Sequence, residues 1–480
     1  MNKLFKNTIF YSIGEVIPRI ISFVMLPIYT RYLSPSDYGI IAYTHSIVLF
    51  LYILGSLALN TYVLRYYFVH SDENGRRVLV GTSHITIIAF NLVIMVLCMI
   101  IFPNIIDKFN IQVPWNPFFR LAIIINFLDG VSIIPLVLYR VRQDAITFML
   151  LGVTRTLFVV AFTIYFVIFK GEGVLGTFNA QLYVYLFYSI LYSYVIYKCA
   201  CYKFSFRYLK EGLSFSLPLL PGYICYFLMS LSDRLILERS VSISEIGIYN
   251  VASSLSMALN IIVQSGYKAI EPEMFKRYGT TSYVEFAETT KRLFFGVIYV
   301  AAFALSLFSQ EIFHIMTSRS FHMGYFLIPI LVISPIMIGQ NTFFGLILAG
   351  EKRTKVQGFA SILSGLLCIS LNLILIPIGG IYAAAISSAI SFLFMSLFLY
   401  SRIHMIKKSI CRELILVLIM PLLSYGVFFS LKEISFQGVL LKLLLIMFYL
   451  YLAIVMLGMK ELLLSRNCVK RYLNSKKVWK

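Results

Sequence analysis

The chain of 480 residues is 60% hydrophobic and only 13% charged, has a mean hydropathy of +0.86, and sets 41 Lys and Arg against 21 Asp and Glu. That composition lies far outside the range of water-soluble domains. It excludes a soluble enzyme, and the formal charge of +20 needs no nucleic-acid partner once its placement along the chain is read.

Apolar runs near the roughly 20 residues that cross a bilayer predict an all-α polytopic membrane protein. Its spans fall at 8–30, 39–64, 78–102, 118–139, 146–169, 174–197, 213–237, 247–270, 293–315, 325–349, 355–377, 380–401, 413–431 and 438–459. The first span follows Lys3 and Lys6 and holds Glu15, Pro18 and Arg19, which marks a retained helix rather than a cleaved signal peptide. The longest gap, 271–292, is too short for a soluble domain. Thirty of the 41 Lys and Arg sit at the amino terminus, in every second gap or at the carboxyl terminus. Positive loops stay on the cytoplasmic side, so both termini are expected inside, with the cluster Lys470, Arg471, Lys476, Lys477 and Lys480 resting on anionic lipid. Seven Cys are scattered, as reduced thiols would be. The pair Cys199 and Cys201 lacks a third or fourth ligand nearby, so no metal site is expected.

The chain also repeats itself. Arg31, Ser34, Ser36, Asp37 and Gly39 recur 208 positions later as Arg239, Ser242, Ser244, Glu245 and Gly247. At a shift of 207, Asp144 meets Glu351 and the turn 171–174 meets 378–381. A duplicated unit of six spans explains both correspondences. Six is even, so the copies enter the membrane in the same sense, as in the parallel repeats of secondary transporters. The expected division is 1–210, a first six-helix lobe; 211–404, a second; 405–460, two extra helices that either pack on the outside or extend a groove for a lipid tail; and 461–480, a basic cytoplasmic tail.

The segments Leu26-Pro-Ile-Tyr-Thr-Arg-Tyr-Leu-Ser-Pro-Ser-Asp-Tyr-Gly39, Ser232-Asp-Arg-Leu-Ile-Leu237 with Ile246-Gly-Ile-Tyr-Asn-Val-Ala252, and Ile376-Pro-Ile-Gly-Gly-Ile-Tyr-Ala-Ala-Ala385 resemble the polysaccharide-transport branch of the multidrug/oligosaccharidyl-lipid/polysaccharide exporter superfamily. Within it the nearest functional type is the Wzx O-antigen flippase. The similarity runs through the first twelve spans in order. It implies a V-shaped pair of six-helix lobes in a bacterial inner membrane. It also implies transfer of a polyprenyl-diphosphate-linked oligosaccharide, an O-antigen or capsule repeat unit, from the cytoplasmic to the periplasmic leaflet. The drive is expected to be a proton or sodium gradient; no cofactor is expected, and no phosphate-binding Gly-rich loop is present. The expected partners are that lipid-linked substrate, membrane lipid, and a polysaccharide polymerase with its chain-length regulator, but no nucleic acid.

Charges inside spans cost several kcal/mol and usually face a cavity. Six stand out: Glu15, Arg19, Asp129, Arg155, Asp233 and Arg234. Arg19, Arg155 and Arg234 are the candidate substrate-binding residues, because a guanidinium fork bonds two diphosphate oxygens and stays charged at any depth. Glu15 and Arg19 stand four apart and share a helix face, so mutual neutralisation is the competing reading. Arg155 has Asp129 of the neighbouring helix as its competing partner. Glu15, Asp129, Asp233 and Asn372 are the candidate ion-coupling residues. In the resembled family an acidic residue on the seventh helix takes part in cation coupling with polar groups of helices eleven and twelve. Asn372 and Ser387 or Ser388 match those groups, but the position four after Asn372 is Ile376 rather than a second carboxylate, a departure that favours protons over sodium. His314 and His322 lack metal-ligand spacing and are expected to be solvated. Tyr223, Tyr226 and Tyr267 are candidates to stack on sugar rings. No catalytic residue is expected. A drug/cation antiporter of the same superfamily is the alternative, disfavoured by three arginines in its walls. A membrane O-antigen polymerase or glycosyltransferase is a more distant one, disfavoured by the short outer loops.

Overall fold

No water is present in hydrocarbon to bond exposed amides, so a spanning chain satisfies its backbone internally; among the described residues this one does so with helices. The computed structural model describes residues 3–69, 72–200, 203–403, 410–431 and 434–458. The basic cluster 470–480 and Cys201 fall outside them. In chain order the helices are α1 (Lys3–Tyr32), α2 (Pro35–Ser56), α3 (Leu59–Tyr66), α4 (Glu73–Phe109), α5 (Arg120–Gly130), α6 (Ile133–Val141), α7 (Ala145–Thr163), α8 (Gly173–Cys199), α9 (Phe206–Ser216), α10 (Leu220–Leu237), α11 (Ile243–Met257), α12 (Leu259–Arg277), α13 (Tyr283–Leu307), α14 (Ser309–Met316), α15 (Ile328–Leu331), α16 (Ile333–Gly350), α17 (Thr354–Arg402), α18 (Ile410–Ser430) and α19 (Phe436–Met456).

Among the described residues thirteen helical runs are long and apolar enough to cross a bilayer. One of them, α17, has 49 residues and breaks at Gly380, whose φ of 54° and ψ of −133° leave the helix. Its halves match the expected eleventh and twelfth spans, which gives fourteen segments of spanning length among the described residues. Gly173 occupies the position matched to Gly380 in the repeat and has a φ of 55°. A left-handed backbone suits glycine because it carries no Cβ, and both repeats use it to begin their last helix.

The repeat is also visible in hydrogen bonds. Ser34 Oγ accepts from the amide of Asp37 at 3.2 Å, while the Asp37 carboxylate accepts from Ser34 N at 2.8 Å. Ser242 and Glu245 do the same at 3.3 and 3.0 Å. Reciprocal capping satisfies two orphan amides at a helix start, which accounts for the recurrence of Ser followed three positions later by an acid.

The second span departs from expectation. It stops at Leu57 and Ala58, both with φ near 50°, and resumes as α3. Asn91 of α4 donates to the carbonyl of Gly55 at 3.0 Å and the Ser56 hydroxyl accepts from Ala58 N. The end of α2 is thereby held on α4 while the chain turns.

Packing divides the chain into two units, one of Met1–Val251, Met316–Phe321 and Gly365–Ala384, the other of Ala252–Ile315, His322–Ser364 and Ala385–Lys480. In the first, α1 lies along α7, α2 along α5 and α10, and α5 along α8. At one end of it Tyr62, Val63, Leu79, Ile87, Ile134, Leu138 and Ile196 form an apolar cluster.

In the second unit α16 is buried along almost its whole length, with α12 and α13 against it. Helices α18 and α19 pack on α13 and are fastened there by ion pairs. Lys291 of α13 meets Glu413 of α18 at 2.9 Å, and Lys442 of α19 meets Glu311 of α14 at 2.6 Å. Around Glu413 the buried Tyr299, Gln340 and Ser396 complete a hydrogen-bonded network. The two carboxyl-terminal helices are thus docked parts of this unit; a reading of apolar runs alone places Lys291, Glu413 and Lys442 at span ends and leaves their burial unseen.

Candidate functional site

Asp129 lies in the last turn of α5, where the chain breaks before α6. The Ser132 hydroxyl donates to the Asp129 carbonyl at 2.7 Å, which ties off the helix end and holds the carboxylate at the break. From α7, Arg155 Nη2 reaches Asp129 Oδ1 at 2.5 Å. The same guanidinium lies 3.9 Å from the ring centroid of Tyr185 on α8, a cation–π contact worth about 0.5–2 kcal/mol. Arg155 therefore has its competing partner, and its charge is balanced in place.

A second pair closes the last turn of α10. Arg234 folds back so that its Nη1 donates to Asp233 Oδ1 at 2.8 Å, to Oδ2 at 3.1 Å and to the carbonyl of Ser230 at 2.9 Å. Tyr249 of α11 donates to Asp233 Oδ2, and its ring lies 5.1 Å from the Arg234 guanidinium carbon. Asp233 is 2% and Arg234 5% exposed. Adjacent helical positions point about 100° apart, yet the length and flexibility of arginine let the side chains meet. Asn372 of α17 is buried nearby and donates to Ser232 Oγ at 3.4 Å, while its own Oδ1 has no partner among the described residues.

Glu15 and Arg19 behave differently from these two pairs. Arg19 is exposed on α1 and forms no ion pair among the described residues. The competing reading, neutralisation of Arg19 by Glu15, has no ion pair behind it among the described residues. Asp129 and Arg155 are brought together, as are Asp233 and Arg234 with Asn372 beside them.

Between α2, α5 and α8 lies a cavity of about 50 Å³, lined by Thr44, His45, Ile125, Thr177, Phe178 and Gln181 among others. One helical turn on from Ile125 and Gln181 come Asp129 and Tyr185. His45 stands exposed on the cavity wall, and the charges of Arg234 and Asp129 both act on its ring. Sequence reasoning passed over it, although a histidine inside an apolar span belongs to the same costly class as the acids and bases. The aromatic rings at the charged groups are Tyr185 and Tyr249, whereas Tyr223 and Tyr226 are 41% and 55% exposed. The rings of His314 and His322 lie 4.0 Å apart between centroids, tilted by 33°.

A family model described as "Polysaccharide biosynthesis protein" matches residues 4–277, more than half of the chain. The chain belongs to this polysaccharide biosynthesis family. Among curated proteins, "Lsg locus putative protein 1" of Haemophilus influenzae is 24% identical over 282 residues, which is 57% of this chain and 66% of that protein. An uncharacterized membrane protein of the same organism is 20% identical over a similar stretch. The matches thus span just under two thirds of these relatives' length. Among solved structures, "Lipid II flippase MurJ, inward closed conformation" aligns with a TM-score of 0.72 at 16% identity, covering 95% of this chain and all of that one. A multidrug resistance MATE family transporter of the MOP superfamily, in an inward-facing conformation, aligns at 0.65 with 14% identity, covering 82% of this chain and 98% of that one. At such identities the likeness establishes the fold alone: the polysaccharide biosynthesis family member is a multi-pass membrane protein folded like these two structures.

Proposed function

We propose that this protein is a flippase that carries a polyprenyl-diphosphate-linked oligosaccharide, an O-antigen or capsule repeat unit, from the inner to the outer leaflet of the bacterial cytoplasmic membrane. Transport proceeds by ion-coupled alternating access, with both termini cytoplasmic. Family membership and the likeness to a lipid II flippase support a lipid-linked glycan as substrate. A polysaccharide polymerase and a chain-length regulator are the natural recipients of the product.

The observation that carries the reading is Arg19: an exposed guanidinium within an apolar helix, without an ion pair among the described residues. A charge left uncompensated at membrane depth costs several kcal/mol, and a diphosphate supplies the missing counter-charge through two parallel hydrogen bonds. Arg155 and Arg234 reach the substrate only after their carboxylates let go. Asp129, Asp233 and Asn372, with Glu15 on α1, are the groups whose state the coupling ion sets.

The test is surface-glycan export in cells that depend on this protein. Arg19→Ala is expected to abolish export at normal membrane levels. Arg19→Lys is expected to restore only part of it, since a point charge does not reproduce the fork. Full export with Arg19→Ala and Arg155→Ala combined would reduce these arginines to structural roles.

A further inference from the structure

The carboxylates of the two ion pairs are already engaged. Asp129 Oδ1 holds Arg155, and both oxygens of Asp233 hold Arg234, with Tyr249 on one of them. A proton arriving at either has a guanidinium to displace. His45 is different: its ring faces the cavity and makes no hydrogen bond among the described residues. We propose that His45 is the proton-binding residue that couples transport to a proton gradient, a role that rests on the ion-coupled flippase reading above.

The surroundings fit such a role. A cavity of about 50 Å³ has room for a few water molecules, at roughly 10–15 Å³ of such volume for each. Thr44 and Thr177 spend their hydroxyl protons on the carbonyls of Ile40 and Val174, both at 2.7 Å, which leaves oxygen lone pairs for water in the cavity. Imidazole is the side chain that ordinarily changes charge between pH 5 and 8. The charges that act on it come from two other helices: Arg234 of α10, paired with Asp233, and Asp129 of α5, paired with Arg155 of α7. Tyr52 lies two turns along α2 itself, and α4 carries no Asp, Glu, Lys or Arg between Arg77 and Asp107.

The consequence follows from Coulomb's law. When an imidazole nitrogen takes a proton from cavity water, the ring becomes a cation that repels Arg234 and competes with Arg155 for Asp129. Both ion pairs are loosened together, and the guanidinium groups are released toward an anion. Loss of the proton to water on the other side restores the pairs. A ligand shifts a conformational equilibrium by its differential affinity for the two states, and here the ligand is the proton.

The experiment uses full-length protein in liposomes that hold a synthetic polyprenyl-diphosphate oligosaccharide, with head groups exposed on the outer leaflet followed over time. The quantity of interest is the ratio of rates with and without an imposed pH gradient. It is expected to be several-fold in the wild type and close to one in both His45→Gln, which cannot take up the charge, and His45→Arg, which cannot lose it. A second measurement needs no substrate: the melting temperature in detergent between pH 5 and 8, where the wild type is expected to show a step that His45→Gln lacks. If the wild type does not move the lipid but the step is present and lost in His45→Gln, the flippase reading fails while the proton site stands. A wild-type gradient response in His45→Gln, or an unchanged melting profile, overturns the assignment of His45.

Discussion

Gly39 and Gly247 rest on each other's helix starts with matched geometry. A Cβ built on Gly39 would overlap the backbone carbonyl of Ile243, and one on Gly247 would overlap that of Pro35 while lying 2.8 Å from Gly39 N. Pro35 and Ile243 are themselves 208 positions apart, as are the two glycines, so the contact is symmetric under the duplication. Such close approach permits Cα–H···O contacts worth about 0.5–1 kcal/mol each. Because the obstacles are backbone atoms, no rotamer change relieves a methyl group there. Gly39→Ala and Gly247→Ala are each expected to lower the melting temperature in detergent, by the equivalent of about 1–3 kcal/mol for overpacking. The double substitution is expected to cost less than the two together, since both open one contact. Wild-type melting in either single variant would show that the crossing yields freely.

The pair of Asp129 and Arg155 is accessible enough, with side chains 28% and 17% exposed, that its break need not unfold the helices. Asp129→Asn is expected to slow gradient-driven transport more than it weakens substrate binding. The exchange Asp129→Arg with Arg155→Asp is expected to recover part of the rate lost by either substitution alone. A transport assay with separate substrate titration distinguishes these outcomes; an unaffected Asp129→Asn would move coupling elsewhere.

Helix α18 is tied to α13 by a buried ion pair. Lys291 and Glu413 are 2% and 1% exposed, and removing one partner of a buried pair costs about 3–5 kcal/mol, whereas replacing both with apolar residues is often neutral. Lys291→Met is expected to destabilise the protein, and Lys291→Met with Glu413→Leu to regain most of the loss. Thermal unfolding of purified protein measures both; equal melting of wild type and Lys291→Met would show the pair to be idle.

Orientation is open to direct measurement in cells. With native cysteines replaced, Tyr208→Cys is expected to resist a membrane-impermeant thiol reagent and Ser240→Cys to react, because basic loops stay on the cytoplasmic side and the loop 198–212 is expected there. The reverse pattern would place both termini outside.

Much of the fold is legible in one dimension. Bilayer thickness sets the length of each apolar run independently of its neighbours, so the spans could be counted, and the break at Gly380 inside α17 shows why that helix counts twice. The recurrence of Ser34 and Asp37 as Ser242 and Glu245 was readable, whereas the capping bonds that explain it were seen only in the structure. The site was only partly so. Asp129 and Arg155 were recognisable as costly charges on adjacent helices, and their pairing was one of two open readings. His45 escaped because its significance lies in the charges of Asp129 on α5 and Arg234 on α10.

The amino-acid sequence alone therefore determined the class of the protein, its apolar spans and its repeated motifs. All of these follow from hydrophobicity and from spacing along the chain. Tertiary structure decided which charge meets which: Arg155 with Asp129 across 26 residues, Lys442 with Glu311 across 131, and Arg19 with neither Glu15 nor any other acid among the described residues. Local propensity is silent on such choices, because an ion pair forms where packing brings two side chains within about 4 Å, and that distance is a property of the folded helices.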